Sequence, residues 1–389
     1  ATTEIYTLSL HDALPDLFKI NSNAHANTGD GLSIVLRKGL PLEDMEFVQF
    51  HPTGLAGTGI LISEAARGEG GKLYNSLGER YMEKYAKDKM ELAPRDVVSR
   101  AITKEILEGR GVGANKDAVL IDLTHLGEEK INERMPELRD LAKTFLGQDM
   151  VKEPIMISPT AHYSMGGIPV DIDGHVKSSP TTKVEGFYAA GECACISVHG
   201  ANRLGANSLL EALFFGGHVG ETIAKELDSI YPGRALPFDA KNAKEEIESL
   251  LASNGDERVA LLRDELQESM TINAGVFRNK ESLQKQKEKI KELKNRFKRI
   301  YVSDKSKTFN TELQEAIEFG HMLDYSACIV EGALIREESR GSHFRDDFPR
   351  RDDERFLKHT FAKVTENGDI SIEYADVVLG KFEPQERTY

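Results

Sequence analysis

The chain has 389 residues, a formal net charge of −14 and a sequence pI of about 5.4. This length allows two or three domains with cores of their own, and the acidic balance argues against a nucleic-acid partner because phosphate binding needs a basic surface. The three cysteines, Cys193, Cys195 and Cys328, are too few for a disulfide framework. Cys193 and Cys195 are too sparse for a metal site, so no metal is predicted. No apolar run approaches the roughly 20 residues that span a bilayer, so any membrane attachment is expected to go through a partner.

The first elements of the chain follow from its turns and its apolar pattern. Residues 28–32 (Thr-Gly-Asp-Gly-Leu) are a turn signal that opens an amphipathic helix. Apolar residues then alternate over 47–54, which predicts a strand ending in a proline turn with His51 at its tip. Residues 60–63 predict a second strand. The Pro-Arg-Asp sequence around Arg95 is a helix-start signature, and it would place this arginine at the exposed tip of a helix.

A Gly-rich loop in the middle of the chain lies between a predicted strand and a predicted helix. A short apolar run follows Gly186, and an apolar-periodic run starts at Ser208. This pattern predicts strand, loop and helix, with Asn207 or Ser208 as the helix cap. A helix N-terminus favours an anionic group, and Arg203 in the same loop offers a fixed fork for a carboxylate. From the spacing alone, an anion site and an ordinary loop with a solvated arginine remain equally open.

The last third of the chain is rich in Lys and Glu. Residues 171–174 (Asp-Ile-Asp-Gly) first predict a hairpin turn rather than a calcium loop, because the other ligand positions are absent. Apolar residues at helical spacing over 256–299 then predict the solvated helices of a small bundle, and a further helix over 311–335 would be capped by Asn310 or Thr311. Residues 336–353 carry eleven charges in eighteen residues, but their two phenylalanines and a proline favour a fixed loop.

Two adjacent motifs carry a family resemblance. Residues 199–209 read His-Gly-Ala-Asn-Arg-Leu-Gly-Ala-Asn-Ser-Leu, and 186–193 read Gly-Phe-Tyr-Ala-Ala-Gly-Glu-Cys. Together they resemble the flavoprotein subunit of succinate dehydrogenase and fumarate reductase, and the similarity recurs from about Leu17 to the C-terminus. It implies an α/β fold, FAD as the cofactor, succinate or fumarate as the dicarboxylate substrate, and iron-sulfur and membrane-anchor subunits as partners. It also implies a cytoplasmic location on the inner face of the cell membrane, through those partners.

The resemblance assigns five residues to the cofactor. The Asp of the Thr-Gly-Asp-Gly turn contacts FAD in this family, as do the Glu of the Gly-Glu pair and the residues at the start of the following helix. The cofactor-binding residues expected here are therefore Asp30, Glu192, Asn207, Ser208 and Leu209.

The resemblance also implies how the two carboxylates of the substrate are bound. His51 and Ser63 would bind one carboxylate, and His162 and Arg203 would bind the other. Ser63 stands where the succinate and fumarate enzymes usually carry Thr. A serine keeps the O–H donor, although the loss of the methyl group loosens the rotamer.

By the same resemblance, Arg95 is the proton donor. An arginine is normally never deprotonated, so this role requires a neighbour that returns the proton at once. The family supplies a Glu and an Arg three residues apart for this purpose, and Glu64 and Arg67 have that spacing. These three residues are the predicted catalytic group.

The implied architecture is an incomplete Rossmann-like FAD-binding domain with an inserted α+β capping domain, followed by a helical bundle and a small C-terminal domain. The expected boundaries are 1–16 for a foreign or artefactual leader, 17–45 and 158–226 for the FAD-binding domain, 46–157 for the cap, 227–345 for the helical domain and 346–389 for the C-terminal domain. The family's opening Gly-x-Gly-x-x-Gly turn is missing. We therefore expect an N-terminally truncated chain that does not hold FAD tightly by itself.

Two other functions remain open. L-aspartate oxidase shares this fold and most of these residues, and Ser-Glu-Ala at 63–65 favours it. The Gly-Glu-Cys-Ala-Cys sequence at 191–195 and the charged segment 336–353 favour succinate and fumarate instead. A non-catalytic remnant that binds neither FAD nor substrate is the alternative of a different class.

Overall fold

The computed structural model describes residues 16–230, 240–381 and 383–385, which form two compact units. The first unit comprises residues 16–19, 23–48, 164–230 and 240–377, and the second comprises 20–22, 49–163, 378–381 and 383–385. Of the predicted leader at 1–16, only Asp16 lies within the described residues. It is buried, and its carboxylate accepts a hydrogen bond from Arg263.

The helices and strands alternate irregularly along the chain. The helices are α1 (Asp30–Arg37), α2 (Ala65–Gly68), α3 (Met82–Tyr85), α4 (Arg95–Glu105), α5 (Glu128–Arg134), α6 (Pro136–Leu146), α7 (Asn207–Ile230), α8 (Lys241–Ala252), α9 (Val259–Asn273), α10 (Lys280–Phe297), α11 (Thr311–Ile335) and α12 (Asp353–Phe356). The strands are β1 (Leu42–Glu43), β2 (Val48–Leu55), β3 (Lys72–Tyr74), β4 (Val119–Asp122), β5 (Ile155–Ser164), β6 (Ile168–Pro169), β7 (His175–Ser179), β8 (Thr182–Tyr188), β9 (Ala194–Cys195), β10 (Lys358–Val364) and β11 (Ile370–Asp376). Within the described part of the chain, none of the helices combines the length and apolar character that crossing a membrane requires.

The second unit is built on a four-stranded sheet with the order β2-β5-β4-β3. β4 pairs antiparallel with both β3 and β5. Val98 and Ile102 of α4 belong to the same buried apolar cluster as Ile121 of β4 and Ile157 of β5. This cluster fixes α4, and with it Arg95, against the sheet.

The first unit combines three small sheets with the long helices. β1, β10 and β11 form an antiparallel sheet in which Leu42 lies opposite Ala362. β6 and β9 form a parallel pair, and β7 and β8 an antiparallel one. The hairpin turn predicted at 171–174 is confirmed, because the Gly174 N–H donates to the Asp171 carbonyl at 3.0 Å.

Three local predictions are wrong. β2 does not stop at a proline turn but continues through Pro52 to Leu55, which is possible because β2 lies at the edge of its sheet and needs no N–H from that residue. Residues 60–63 form only an isolated bridge, from Leu61 to Gly54, rather than a strand. Arg95 is 9% exposed and does not lie at an exposed helix tip, because acceptors from its own unit surround it.

The helical predictions hold better. α1 follows Gly29, whose φ of 74° fits the predicted turn, and Asn310 caps α11 by accepting from the Leu313 N–H at 2.8 Å. The apolar positions predicted for α9 and α10 are largely buried. Ile272 is the exception, being 68% exposed.

The charged segment 336–353 is a fixed loop, as predicted, but buried charges rather than its phenylalanines explain its order. Arg336 and Arg345 are fully buried. Arg336 donates from Nε to the buried Glu46 at 2.6 Å and from Nη1 to the Phe356 carbonyl at 2.8 Å. Because a buried charge without a partner is very costly, these bonds hold the loop in one conformation.

The same loop contacts the segment that carries Arg203. Ser342 donates from its N–H and from its hydroxyl to the Ala201 carbonyl, at 2.9 and 3.0 Å. Gly341 has a φ of +58°, and a Cβ at this position would lie 2.3 Å from the Ala201 carbonyl oxygen. Only glycine allows this close approach.

Replacing Glu46 tests the buried ion pair. Glu46→Ala leaves the Arg336 guanidinium buried without its carboxylate, so we expect the free energy of unfolding to fall by about 3–5 kcal/mol in urea titrations. The control is Glu281→Ala, which removes an exposed pair with Lys285 and should leave the midpoint unchanged. Equal midpoints for the two variants would contradict the importance of the buried pair.

Replacing Gly341 tests the loop contact. Gly380 has the same φ of +58°, but no atom lies within 4 Å of the position that a Cβ would take there, so Gly380→Ala is the matched control for backbone strain. We expect Gly341→Ala to cost about 1–3 kcal/mol more than the control, because of the clash with Ala201. Amide hydrogen exchange at 199–203 should accelerate only in Gly341→Ala. Unchanged exchange there would refute the contact.

Candidate functional site

Arg95, Glu64 and Arg67 form a continuous row of ion pairs in the second unit. Arg95 is the first residue of α4, while Glu64 precedes α2 and Arg67 lies within it. Arg95 donates to Glu64 through Nε to Oε1 at 3.3 Å and through Nη2 to Oε2 at 3.2 Å. Arg67 donates through Nη2 to Glu64 Oε1 at 2.8 Å. The three residues that the resemblance assigns to proton transfer therefore meet side by side.

The charges of this row depend on one another. Burial opposes the charged form of Glu64, but hydrogen bonds and charges from Arg95 and Arg67 outweigh it and lower the pKa of this carboxyl group. Burial lowers the pKa of Arg67, and the nearby charge of Arg95 acts in the same direction. Among the described residues, Nε of Arg67 is buried without a hydrogen-bond partner. The row thus contains the ionised carboxylate of Glu64 between two arginines. The local environment destabilises the positive charge of one of them, Arg67.

Sequence reasoning missed Gln49. Its side-chain oxygen accepts from Arg95 Nη1 at 3.0 Å, and Gln49 is 1% exposed. Gln49 and His51 are two residues apart on β2, and residues at that spacing point to the same face of a strand. A polar residue two positions before the predicted histidine was therefore the signal that could have identified it.

The two predicted substrate histidines lie close together in the second unit. His51 on β2 is 2% exposed, and its ring centroid is 5.2 Å from that of His162 on β5, with the rings nearly perpendicular. Ser22 Oγ lies 2.8 Å from His162 Nδ1. Ser63 is exposed, and its Oγ accepts from the Ala65 N–H at 3.3 Å. Both histidines and Ser63 therefore lie in one unit, and each has a side-chain group that can form hydrogen bonds.

The predicted cofactor residues lie in the first unit, where Glu192 has an incomplete environment. Within the described chain, Glu192 Oε1 is buried and has no hydrogen-bond partner. Burial and the Glu211 carboxylate raise the pKa of Glu192 to about 8, against the opposing effect of Arg203. A buried acceptor without a donor is costly, so this oxygen fits a ligand that donates a hydrogen bond.

The start of α7 differs slightly from the prediction. The helix already includes Asn207 and Ser208, so Ala206 precedes it and neither predicted residue occupies the cap position. Ser208 Oγ instead accepts a hydrogen bond from Nη1 of the buried Arg203. Leu209 in the first turn is 70% exposed. The first turn of α7 therefore offers backbone N–H groups, the exposed side chains of Leu209 and Leu210, and a neighbouring guanidinium.

Asp30 begins α1, and its carboxylate already contacts two side chains. Its Oδ1 accepts from Thr28 Oγ1 at 2.9 Å and lies 2.6 Å from His321 Nδ1. Burial opposes the charge, but His321 and Thr28 prevail and lower the pKa of Asp30. An ionised carboxylate at this position remains a good acceptor for a hydroxyl group.

Two family models match this chain. The model of an FAD binding domain matches residues 14–209, and the model of the fumarate reductase flavoprotein C-terminal region matches residues 263–389. The first match indicates FAD as the cofactor. Together they cover the ion-pair row, the histidines and the first three residues of α7, as well as the charged loop 336–353.

Individual relatives agree with these models. The succinate dehydrogenase flavoprotein subunit of Rickettsia conorii is 45% identical over 363 residues, which are 92% of this chain and 61% of the relative. The fumarate reductase flavoprotein subunit of Escherichia coli K12 is 42% identical over 389 residues, covering 96% of this chain and 64% of the relative. A solved variant of E. coli quinol fumarate reductase FrdA matches with a TM-score of 0.91 and 40% identity, covering 98% of this chain and 67% of that chain.

These comparisons confirm the resemblance seen in the motifs and the predicted α/β fold. The chain spans 61–64% of the length of the curated relatives named above. Its identity to them is high over nearly all of its own length. The chain therefore belongs to the succinate dehydrogenase and fumarate reductase flavoprotein family of FAD-dependent oxidoreductases.

Proposed function

We propose that this protein interconverts succinate and fumarate and that Arg95 transfers the proton. The row formed by Arg95, Glu64 and Arg67 carries the proposal, because an arginine acts as an acid only if a neighbour returns its proton. Glu64 contacts both guanidinium groups, so a proton taken from Arg95 is replaced through Glu64, with Arg67 behind it. Gln49 holds Nη1 of Arg95 and so keeps the other arm of the guanidinium in a fixed direction.

The substrate is proposed to be held at both ends. His51 and Ser63 would bind one carboxylate, and His162 and Arg203 the other. Holding both ends fixes the central carbons, which makes positioning a large part of the rate enhancement. The cations near the carboxylates would also stabilise the negative charge that develops on carbon.

FAD would supply the hydride transfer. The residues that would hold it are Asp30, Glu192, Asn207, Ser208 and Leu209, and the unpartnered Oε1 of Glu192 supports this assignment within the described chain. The N-terminus of α7 favours an electron-rich group of the cofactor through the partial positive charge of a helix N-terminus. The exposed Leu209 offers an apolar contact.

We further propose that electrons pass to an iron-sulfur subunit and the quinone pool. Membrane-anchor subunits would then hold the complex at the cytoplasmic face of the membrane. A structure named quinol-fumarate reductase with menaquinol molecules supports this, with a TM-score of 0.88 and 41% identity. The test is co-purification with an iron-sulfur protein encoded by the same organism.

L-aspartate oxidase is the second candidate, because Ser-Glu-Ala at 63–65 favours it. Turnover of the FAD-loaded protein with succinate, fumarate and L-aspartate separates the two enzymes. Turnover of L-aspartate alone would replace the proposed function. If none of the three compounds is turned over even with FAD added in excess, the protein is instead a non-catalytic remnant.

Arg95→Lys tests the proton-transfer role. A lysine on a shorter reach cannot contact Glu64 and Gln49 in the same way, so we expect kcat to fall by at least about 100-fold in both directions. The control is Arg100→Lys on the same helix, whose guanidinium pairs with Asp96 at 3.0 Å. Steady-state kinetics with FAD added in excess measure both. Near-normal kcat in Arg95→Lys would exclude this residue as the proton donor.

Alanine variants of the two histidines test the carboxylate assignment. His51→Ala and His162→Ala should each weaken dicarboxylate binding, whereas a monocarboxylate inhibitor should lose affinity in only one of the two variants. The control is His125→Ala, which removes an exposed histidine of the same unit. Inhibition constants are the measurement. Equal losses of monocarboxylate affinity in both variants would show that the histidines do not serve opposite ends.

A further inference from the structure

A second cluster of reactive side chains lies in the first unit, apart from the residues assigned to substrate and FAD. It contains Glu43 at the end of β1, Asp44 directly after it, Cys195 at the end of β9 and His359 on β10. The carboxylate and sulfur ligand atoms of Glu43, Asp44 and Cys195 all lie within 4.8 Å of one another. His359 Nδ1 is 2.6 Å from Asp44 Oδ2 and 3.2 Å from Glu43 Oε1. Three possible ligands therefore converge, and a fourth, His359, contacts two of them.

The cluster is shielded from solvent, but one of its buried oxygens lacks a hydrogen-bond partner among the described residues. Glu43 is 1% exposed and Cys195 is 2% exposed. Within the described part of the chain, Glu43 Oε2 is buried without a hydrogen-bond partner. The sulfur of Cys195 lies 3.9 Å from the Ser197 hydroxyl, which is a weak contact. A buried carboxylate oxygen that lacks a donor is rare, because an unsatisfied buried acceptor destabilises the folded chain.

The charge balance of the cluster favours a cation. Two carboxyl groups and a thiol lie together in a buried space, within 4.8 Å of one another. The imidazole of His359 faces both carboxyl groups. A divalent ion would compensate these charges together and would take up the free oxygen of Glu43.

We propose that Glu43, Asp44, Cys195 and His359 bind a zinc-like divalent transition metal ion. One sulfur, one imidazole nitrogen and two carboxylate oxygens are a ligand set that Zn²⁺ accepts in tetrahedral geometry, whereas Mg²⁺ and Ca²⁺ prefer oxygen ligands only. Thr360 supports the geometry, because its N–H donates to Asp44 Oδ1 at 3.0 Å and leaves Oδ2 directed at His359. Such orientation of a ligand from outside the site is usual in metal centres.

The spacing of the cysteines does not reveal this site. The four residues come from positions 43, 44, 195 and 359, and only the pairing of β1 with β10 and the position of β9 bring them together. Access for an ion lies on the side of His359, whose side chain is 16% exposed. The site is expected to play a structural role, since it ties three strands of one unit together.

Cobalt is the probe of choice, because a thiolate ligand gives Co²⁺ an intense charge-transfer absorption. The 389-residue chain is stripped of metal with a chelator and titrated with Co²⁺, and then with Zn²⁺ in competition. We expect one Co²⁺ per chain, a thiolate-to-cobalt band, and loss of this band when Zn²⁺ displaces the cobalt. Absence of the band in the folded wild-type chain would overturn the proposal.

Two substitutions assign the ligands. Cys195→Ser should abolish the charge-transfer band, while Cys328→Ser, which alters another buried thiol on α11, should keep it. Glu43→Gln removes a ligand charge with little change of shape and should weaken Zn²⁺ binding at least tenfold. A band that survives Cys195→Ser, or unchanged affinity in Glu43→Gln, would refute the site.

Two further measurements test the remaining alternatives. Asp171, Asp173 and His175 form a more exposed cluster that could also take a metal ion. Binding that disappears in His175→Asn but persists in Cys195→Ser would place the metal there and overturn the proposal. Should Cys195→Ser fail to fold, X-ray absorption of the Zn²⁺-loaded wild type decides instead. One sulfur at about 2.3 Å with nitrogen and oxygen neighbours is expected, and a shell without sulfur would refute the site.

Discussion

The buried carboxylate of Glu46 is the constraint on which much of the first unit depends. Its two oxygens accept from Arg336 at 2.6 Å and from Thr360 at 2.8 Å, while its backbone carbonyl accepts from Arg278 at 2.7 Å. These partners come from the end of α11, from β10 and from the turn before α10. Because a buried charge must be paired, the Glu46 side chain fixes the end of α11 against β10, and its backbone carbonyl adds the turn before α10.

The ordered loop that results has a consequence for the proposed site. Once Arg336 and Arg345 are buried, Gly341 and Ser342 lie against Ala201, two residues before Arg203. Arg203 in turn donates to Ser208 at the start of α7. The loop that these buried arginines hold in place therefore contacts the segment that is proposed to bind both a carboxylate and FAD. In the second unit, Glu64 has a comparable role, because its carboxylate accepts hydrogen bonds from two arginines.

Sequence reasoning succeeded where the signal is local and failed where a distant segment decides. Turn residues located α1, α11 and the hairpin at 171–174 correctly, since caps and turns depend on a few neighbouring residues. Arg95 was expected to be exposed, but Glu64 and Gln49 enclose it. Pro52 was read as the end of a strand, although an edge strand tolerates proline.

The sequence by itself determined the family, the fold class and the residue types of the candidate site, because long motifs preserve chemistry at fixed spacing. It also determined that Glu64 and Arg67 lie three residues apart, and hence on one side of a helical turn. Only the tertiary structure decided that Gln49 contacts Arg95, that Glu192 keeps an unsatisfied oxygen within the described chain, and that Glu43, Asp44, Cys195 and His359 converge. The physical reason is that burial and pairing between distant segments are properties of the packed chain, and no periodicity or spacing along the sequence encodes them directly.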